Sequence, residues 1–146
     1  MKRHLTLLIL LFGLLSFANS QPNVDVDEML GFACFYGGTQ SKSVKKVSIL
    51  IDEKKYDSII ELLDSKNKAE QYLAVIVIEK LDELDEIQLK NKQKDKISKL
   101  YSSKKKVSVC SGCIYWDKLT LESILKKNNK MRIPENYWLD NKISSK

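Results

Sequence analysis

The sequence predicts an all-α domain of about five or six helices, with one short extended segment. Two observations support this class. Apolar residues recur at spacings of three and four along most of the chain, and residues that commonly cap helices stand directly before several of these stretches. Hydrophobic residues make up 43% of the 146-residue chain and charged residues 30%, which is the composition of a folded globular protein. A chain of this length is expected to form one domain.

Residues 1–20 have the order of a secretory signal peptide. Lys2 and Arg3 provide a positive start, and Leu5–Phe17 is almost entirely apolar before a stretch that ends in small residues. The apolar run is shorter than the ~20 residues that a helix needs to cross a bilayer. We therefore expect cleavage after Ser20, with cleavage after Ala18 as the alternative. We also expect export to the periplasm or the medium, and a chain that does not span the membrane after cleavage.

The predicted domain covers residues 21–146 and begins with short helices. Val24–Tyr36 is expected to form the first helix and to end at a pair of glycines. Ser43 is expected to cap a second helix that extends to Ile51. Tyr56–Asp64 carries the apolar spacing of a third helix.

The longest helical pattern runs from Ala69 to about Leu84. Asn67 followed by Glu70 is the pattern of a capping box, which places the start of this helix. Its residues are apolar almost all round, which is typical of a helix covered on several sides. The run VIVI at 75–78 is also compatible with a buried strand, since β-branched residues favour sheets. The cap and the helical spacing of the polar residues favour a helix.

The last third of the chain is predicted to be helical with one interruption. Ile97–Tyr101 marks a lysine-rich helix, and Val107–Val109 is a short extended segment. Thr120–Lys127 is expected to form a last short helix whose lysines lie at its negative end. The aromatic tail, residues 132–146, is expected to dock onto the domain at least as far as Leu139.

Residues 55–84 resemble a helical hairpin of the HEAT or armadillo type. A helix ending in two leucines is followed by a short polar turn and a second helix with Ala74 at its buried centre. The resemblance covers this segment alone, and the sequence contains no second clear copy. It implies a small body of stacked helical hairpins and a binding role rather than an enzymatic one.

The residue types present exclude several kinds of catalysis. The only histidine, His4, lies in the predicted leader, so the exported chain lacks imidazole for a catalytic triad, for proton transfer or for zinc binding. The Gly37-Gly38 pair lacks the lysine and the spacing of a phosphate-binding loop. We therefore predict a protein that is not an enzyme and that carries no cofactor.

The basic excess is modest once the leader is removed. Losing Lys2 and Arg3 lowers the formal net charge from +6 to +4 and leaves Arg132 as the only arginine. Because arginine supplies the bidentate fork that reads bases and phosphates, no nucleic-acid partner is expected. The prediction is a binding or structural module of the cell envelope, with an unknown protein or an anionic envelope component as its partner.

Three cysteines are the most distinctive chemical feature: Cys34, Cys110 and Cys113. An exported chain meets an oxidising compartment, so we favour a disulfide, either within the Cys110-x-x-Cys113 turn or from Cys34 to one of that pair. The long-range bridge would stabilise the fold by ~4 kcal/mol. Reduced buried thiols are the next alternative. Zinc held by three thiolates and Asp117 is not expected, because structural zinc sites usually combine cysteine and histidine.

An odd number of cysteines leaves one thiol without a partner within the chain. If Cys34 pairs with either member of the Cys110-x-x-Cys113 motif, the other thiol is available for exchange. The alternative function is therefore a thiol/disulfide-active or redox-sensitive protein.

Charge is segregated in the second half of the chain. Glu79–Glu86 is acidic, and Lys90–Lys106 is strongly basic. A candidate electrostatic face for an anionic surface consists of eight lysines: Lys90, Lys92, Lys94, Lys96, Lys99, Lys104, Lys105 and Lys106. The alternative, which we favour, is a solvated helical pair whose exposed charges pair weakly, at about 0.2–1 kcal/mol for each pair.

Overall fold

The computed structural model describes residues 28–34, 37–126 and 132–143. The predicted signal peptide, residues 1–20, lies outside them. The described residues form six α-helices, a 3₁₀ turn at Leu62–Asp64 and a two-stranded sheet. In chain order the elements are α1 (Lys42–Asp52), α2 (Tyr56–Glu61), α3 (Lys68–Glu83), α4 (Asn91–Tyr101), β1 (Lys106–Ser111), β2 (Ile114–Thr120), α5 (Leu121–Leu125) and α6 (Arg132–Ile143).

The fold is mostly helical, but the all-α prediction is wrong at the antiparallel pair β1 and β2. The predicted extended segment is confirmed inside β1, whereas the second strand was not predicted. The register shifts between Val107 and Val109, and Lys118 in β2 has a φ of 53°. This irregularity breaks the alternation by which a strand is recognised in a sequence. Gly112, with a φ of 56°, allows the tight reversal between the strands.

The predicted helix over Val24–Tyr36 is wrong in its described part. Residues 28–34 are extended and run parallel to β1. The Leu30 N–H donates to the Ser108 carbonyl at 2.9 Å, and the Cys110 N–H donates to the Leu30 carbonyl at 2.9 Å. The helical periodicity of this segment did not predict its structure, because its backbone groups form hydrogen bonds with a strand that lies far away in the sequence.

The second and third predicted helices form as α1 and α2, with one correction at a cap. Ser41, not Ser43, caps α1, and its side chain accepts a hydrogen bond from the Val44 N–H at 3.4 Å. Ser43 is instead buried within the helix. The third predicted helix is confirmed as α2, and the 3₁₀ turn follows it directly.

Helix α3 is the central element, and the helical interpretation of its β-branched run is confirmed. The side chain of Asn67 accepts hydrogen bonds from the Ala69 N–H at 2.8 Å and the Glu70 N–H at 3.3 Å. The Glu70 carboxylate accepts from the Ser65 hydroxyl at 2.6 Å and from Lys46 at 2.7 Å. An unbroken run of α3, residues 71–78, is buried.

The described part of the C-terminal tail forms helix α6. Trp138 and Leu139 are buried in the main core. The indole N–H of Trp138 donates to the Ser48 hydroxyl at 3.0 Å, and its ring lies 5.3 Å from that of Phe32. The short predicted helix after β2 is confirmed as α5, capped by Thr120. Within the described residues, none of the helices combines the length and the apolar character that crossing a membrane requires.

Candidate functional site

Two of the three cysteines form a disulfide. Cys34 and Cys110 are bonded, with their Cα atoms 5.6 Å apart and a separation of 76 positions in the sequence. Both are fully buried, and with Met29 they form a small apolar cluster separate from the main core. The bridge joins the extended segment, residues 28–34, to β1. One of the predicted pairings is therefore the one present.

Gly31 lies directly against this disulfide. A Cβ atom at Gly31 would overlap the sulfur atoms of both Cys34 and Cys110. The Ser41 N–H also donates to the Gly31 carbonyl at 2.9 Å, which ties this glycine to the start of α1. The absence of a side chain at Gly31 is therefore what lets the extended segment pack onto the bridge.

Cys113 is a free, exposed thiol in the turn between β1 and β2. It lies three residues after Cys110, whose sulfur is buried, so direct attack on the bridge requires the hairpin to open. In the part of the chain that the structure describes, no three Cys, His, Asp or Glu side chains are grouped as metal ligands would be. The side chain of Asp117, considered above as a zinc ligand, lies outside that part.

A cleft with a volume of about 920 Å³ lies where α3, α4, α5 and α6 meet. This volume falls in the range of ligand-binding pockets, about 300–1,000 Å³. Its apolar lining consists of Ile76, Leu89, Ile97, Ile124, Leu125 and Leu139. Most of these belong to the main core and are almost completely buried, so the floor of the cleft exposes little apolar surface.

Ionisable side chains surround this floor, and most of them are acidic. Among the residues that the structure describes, five carboxylates line the cleft, from Glu79, Asp82, Glu83, Glu135 and Asp140, against the two ammonium groups of Lys80 and Lys94. We call this site the acidic cleft. Its sign is opposite to that of the whole chain, which is net positive.

Hydrogen bonds hold several of these carboxylates in place. Glu79 accepts from the Tyr101 hydroxyl at 2.8 Å, which links α3 to α4. Asp82 accepts from the Leu89 N–H at 3.2 Å and fixes the loop before α4. Glu83 forms an ion pair with Lys80 at 3.6 Å. The carboxylates therefore have defined positions around the apolar floor.

Glu135 forms a buried wall of the cleft. Its side chain accepts a hydrogen bond from the hydroxyl of Tyr72, and both residues are almost completely buried. This bond connects α6 to the centre of α3 and fixes the angle at which the tail docks. Burial of a carboxylate without such a partner would be costly.

The predicted lysine face is distributed over α4, the loop after it and the start of β1. Lys94 lines the acidic cleft, whereas Lys96 pairs with Asp64 and Lys104 pairs with Glu122. These two partners lie outside the acidic run Glu79–Glu86. The remaining members are exposed: Lys90, Lys92, Lys99, Lys105 and Lys106.

Two side chains near lysines have shifted pKa values, Glu122 and Lys68. Hydrogen bonds from Lys104 and Lys126 hold the pKa of the Glu122 carboxyl below its ordinary value. Burial lowers the pKa of the Lys68 ammonium group, and the nearby charge of Lys105 lowers it further. Basic side chains therefore crowd together near the start of α3, at the opposite end of that helix from the acidic cleft.

The acidic cleft itself was missed at the level of sequence. Glu79–Glu86 was recognised as a charge run, but its neighbours in α6 are more than fifty residues away along the chain. One local signal was available. Asp82 and Glu83 lie in the last turn of α3, where the helix dipole disfavours negative charge. In the structure these carboxylates are engaged locally, Asp82 with the Leu89 N–H and Glu83 with Lys80.

Comparison with known proteins gives no relative from which a role could be transferred. No protein family matches the chain, and no curated protein and no solved structure is significantly similar to it.

Proposed function

We propose that this protein is an exported, non-enzymatic binding module of the cell envelope, and that the acidic cleft is its binding surface. The observation that carries the proposal is the cleft, in which carboxylates held by hydrogen bonds surround a floor of core side chains. Pockets with an apolar lining and a few fixed polar groups are the usual form of a binding site.

Export is supported by two independent features. Residues 1–20 have the pattern of a cleavable signal peptide. The buried bridge between Cys34 and Cys110 is the kind of bond that persists in oxidising compartments. The mass of the exported chain would check this part, because cleavage after Ser20 leaves a chain that begins at Gln21.

A binding role is favoured over catalysis by the chemistry at the cleft. Its carboxylates take part in hydrogen bonds that join elements of the fold, as Glu79 does with Tyr101 and Glu135 with Tyr72. The exported chain has no histidine to act beside them. The resemblance of residues 55–84 to a helical hairpin of the HEAT or armadillo type supports the same role.

An NMR titration of the exported, disulfide-bonded chain tests this proposal. The labelled protein is mixed separately with protein, polysaccharide and lipid fractions of the cell envelope. We expect one fraction to shift the amide signals of Ser98, Tyr101 and Asn136, which line the cleft. The signals of Ile49 and Asp57, on the surface of α1 and α2, serve as the control. Shifts confined to the control residues, or no shifts with any fraction, would contradict the proposal.

A second candidate function is thiol–disulfide exchange, and the exposed thiol of Cys113 near the bridge favours it. In this step the Cys113 thiolate attacks the sulfur of Cys110. The bond between Cys110 and Cys34 breaks, Cys34 leaves as a thiolate, and a bond between Cys110 and Cys113 forms. The number of disulfides is unchanged, so no external oxidant is needed.

Alkylation of the native chain tests the exchange. If it occurs, iodoacetamide labels Cys34 slowly as well as Cys113, and Cys113→Ser abolishes the labelling of Cys34. Labelling of Cys113 alone over several days would exclude this function. Equal labelling of Cys34 in the Cys113→Ser variant would point to simple reduction instead of exchange.

A further inference from the structure

We infer that a lysine-rich surface at the start of α3 docks this protein onto the anionic phospholipid headgroups of a membrane. We call this surface the basic end, and its six lysines are Lys46, Lys66, Lys68, Lys104, Lys105 and Lys106. None of them lines the acidic cleft, so the inference goes beyond the proposed function and does not depend on it. Three separate parts of the chain supply these lysines, and the tertiary structure brings them together.

The starts of α1 and α3 lie side by side. The side-chain amide of Asn67, which caps α3, donates to the Ser43 hydroxyl in the first turn of α1 at 3.2 Å. One turn further along both helices, Lys46 donates to the Glu70 carboxylate at 2.7 Å. Because both contacts join residues 24 positions apart, the two helices run in the same direction. Lys46 therefore lies at the same end of the molecule as the lysines that precede and open α3.

Lys105 reaches this end from the loop before β1. Burial lowers the pKa of the Lys68 ammonium group, and the nearby charge of Lys105 lowers it further. The carboxylate of Glu28 acts on the same pKa in the opposite direction. Lys104 and Lys106, on either side of Lys105 in the chain, are exposed. Lysines from distant parts of the sequence thus share one surface.

The positive charge of the basic end is only partly neutralised. The carboxylates near it belong to Glu28, Asp64, Glu70 and Glu122, and the last three already pair with lysines. In the part of the chain that the structure describes, three exposed lysines of this surface take part in no ion pair: Lys66, Lys105 and Lys106. These ammonium groups can therefore meet an anionic partner without first giving up a carboxylate.

The chemistry of this surface suits lipid headgroups better than a single anionic ligand. Lysine is a compact, strongly hydrated point charge, whereas arginine reads one phosphate group through two parallel hydrogen bonds. All six basic residues here are lysines. Clusters of about four to eight basic residues bind anionic bilayers by the summed attraction to many headgroups. A fluid array of phosphates matches charges that are spread over a helix start and a loop.

Binding of this kind is reversible and leaves the acidic cleft accessible. The contact consists of lysines alone, and without an inserted apolar group or a lipid anchor such adsorption is weak and sensitive to salt. Helix α3 has 16 residues and therefore spans roughly 24 Å between the basic end and the last turn, where Asp82 and Glu83 line the cleft. A chain held on a membrane at the basic end can bind a second partner at the other end of this helix.

The first test is cosedimentation of the full exported chain with lipid vesicles. One set consists of phosphatidylcholine, and the other contains about 30% phosphatidylglycerol. We expect binding at least about tenfold tighter to the anionic vesicles, and loss of that binding when NaCl is raised from about 0.05 to about 0.5 M. Equal binding to the two sets, or no binding to either, would overturn the inference. Inorganic polyphosphate is tested in parallel, and binding to it without binding to anionic vesicles would also overturn the inference.

The second test removes charge from the basic end. Lys66→Gln, Lys105→Gln and Lys106→Gln are combined in one variant. The matched control combines Lys92→Gln, Lys94→Gln and Lys99→Gln, which are exposed on α4 and cause the same loss of net charge. We expect the first variant to bind anionic vesicles at least about tenfold more weakly, and the control to stay within about twofold of the original chain. Circular dichroism verifies that both variants are folded. Equal losses in the two variants would show that net charge, and not this surface, determines binding.

A third variant separates this inference from the proposed function. Asp82→Asn and Asp140→Asn together remove charge from the acidic cleft. We expect this variant to bind anionic vesicles at least as tightly as the original chain does. Weaker binding would place the lipid contact at the cleft and overturn the inference. If anionic vesicles do not bind the original chain at all, the basic end is not a docking surface, and the titration of the cleft with envelope fractions still decides the proposed function.

Discussion

The helical body around α3 and the disulfide-bonded sheet are stabilised by different physics. In the body, α3 is buried along residues 71–78 and packs against α1, α2, α4, α5 and α6. In the sheet region, residues 28–34 and β1 are joined by backbone hydrogen bonds and by the bridge between Cys34 and Cys110. The body is stabilised mainly by apolar burial, whereas the sheet region combines burial of Leu30, Phe32, Val107 and Val109 in the main core with one covalent bond.

This difference follows from the size of the two regions. An isolated β-hairpin is at best marginally stable in water. Among the described residues, its separate apolar cluster is Met29, Cys34 and Cys110, and its other buried apolar side chains join the main core. The bridge compensates for the small cluster by restricting the unfolded chain. The bridge therefore adds a covalent constraint to a small sheet at the edge of a large core.

The largest expected effect comes from breaking the bridge. Replacing Cys34 and Cys110 together by alanine should lower the free energy of unfolding by about 4 kcal/mol, because a long loop is released. Urea denaturation measures this loss. Hydrogen exchange should show that the Cys110 amide loses protection before the amides of α3 do. Cys113→Ala, at an exposed position, is the control and should change stability by less than about 0.5 kcal/mol. A loss of similar size in the control would contradict our account of the bridge.

The corresponding test of the body is Leu73→Ala in α3. Leu73 is completely buried, and truncation should cost about 3 kcal/mol through lost burial and the cavity that remains. Urea denaturation again provides the measurement. Leu84→Ala is the control, since Leu84 is 45% exposed and should cost well under 1 kcal/mol. If the two truncations cost the same, the body is not stabilised in the way proposed.

A smaller effect is expected at the start of α3. Asn67→Ala removes the acceptor for the amides of Ala69 and Glu70 and should cost about 1 kcal/mol. Thermal denaturation compares it with Lys66→Ala, at an exposed neighbouring position. Equal melting temperatures for the two variants would show that the cap does not set the stability of the helix.

The smallest effect concerns the contact between α5 and the lysine-rich segment. The folded state lowers the pKa of Glu122 through Lys104 and Lys126, so the stabilisation from this carboxylate is present above its unfolded pKa. It is lost as pH falls from about 4.5 through the lower folded value. The melting-temperature difference between the original chain and Glu122→Gln should therefore be larger at pH 7 than at pH 3. Added salt should reduce it. A difference independent of pH would contradict this assignment.

The helices of the body were predictable because their signals are local. The cap of α3 by Asn67 and the spacing of Val44, Val47 and Ile51 in α1 involve residues within a few positions of each other. The wrong choice of Ser43 as the cap is also a local error, since Ser41 offers an equivalent hydroxyl two residues earlier. Even the β-branched run in α3 is helical, because its cap and its burial outweigh the preference for sheet.

The sheet region was not predictable in the same way. The spacing of Met29 and Phe32 fits a helix, yet residues 28–34 lie along β1 because Ser108 and Cys110 provide backbone partners there. Three cysteines in a chain with a predicted signal peptide predicted a bridge, but not which pair forms it. The choice depends on which sulfurs meet in the folded chain, and Gly31 makes that meeting sterically possible.

The sequence by itself determined the body: its helices, its central apolar segment and the docking of the aromatic tail. It also indicated that a disulfide forms. These features depend on interactions between neighbouring turns and on the burial of apolar faces. Tertiary structure alone decided the pairing of Cys34 with Cys110, the second strand and the acidic cleft. Each of these brings together residues far apart in sequence, and only the packing of α6 against α3 brings Glu135 and Asp140 to the carboxylates at the end of that helix.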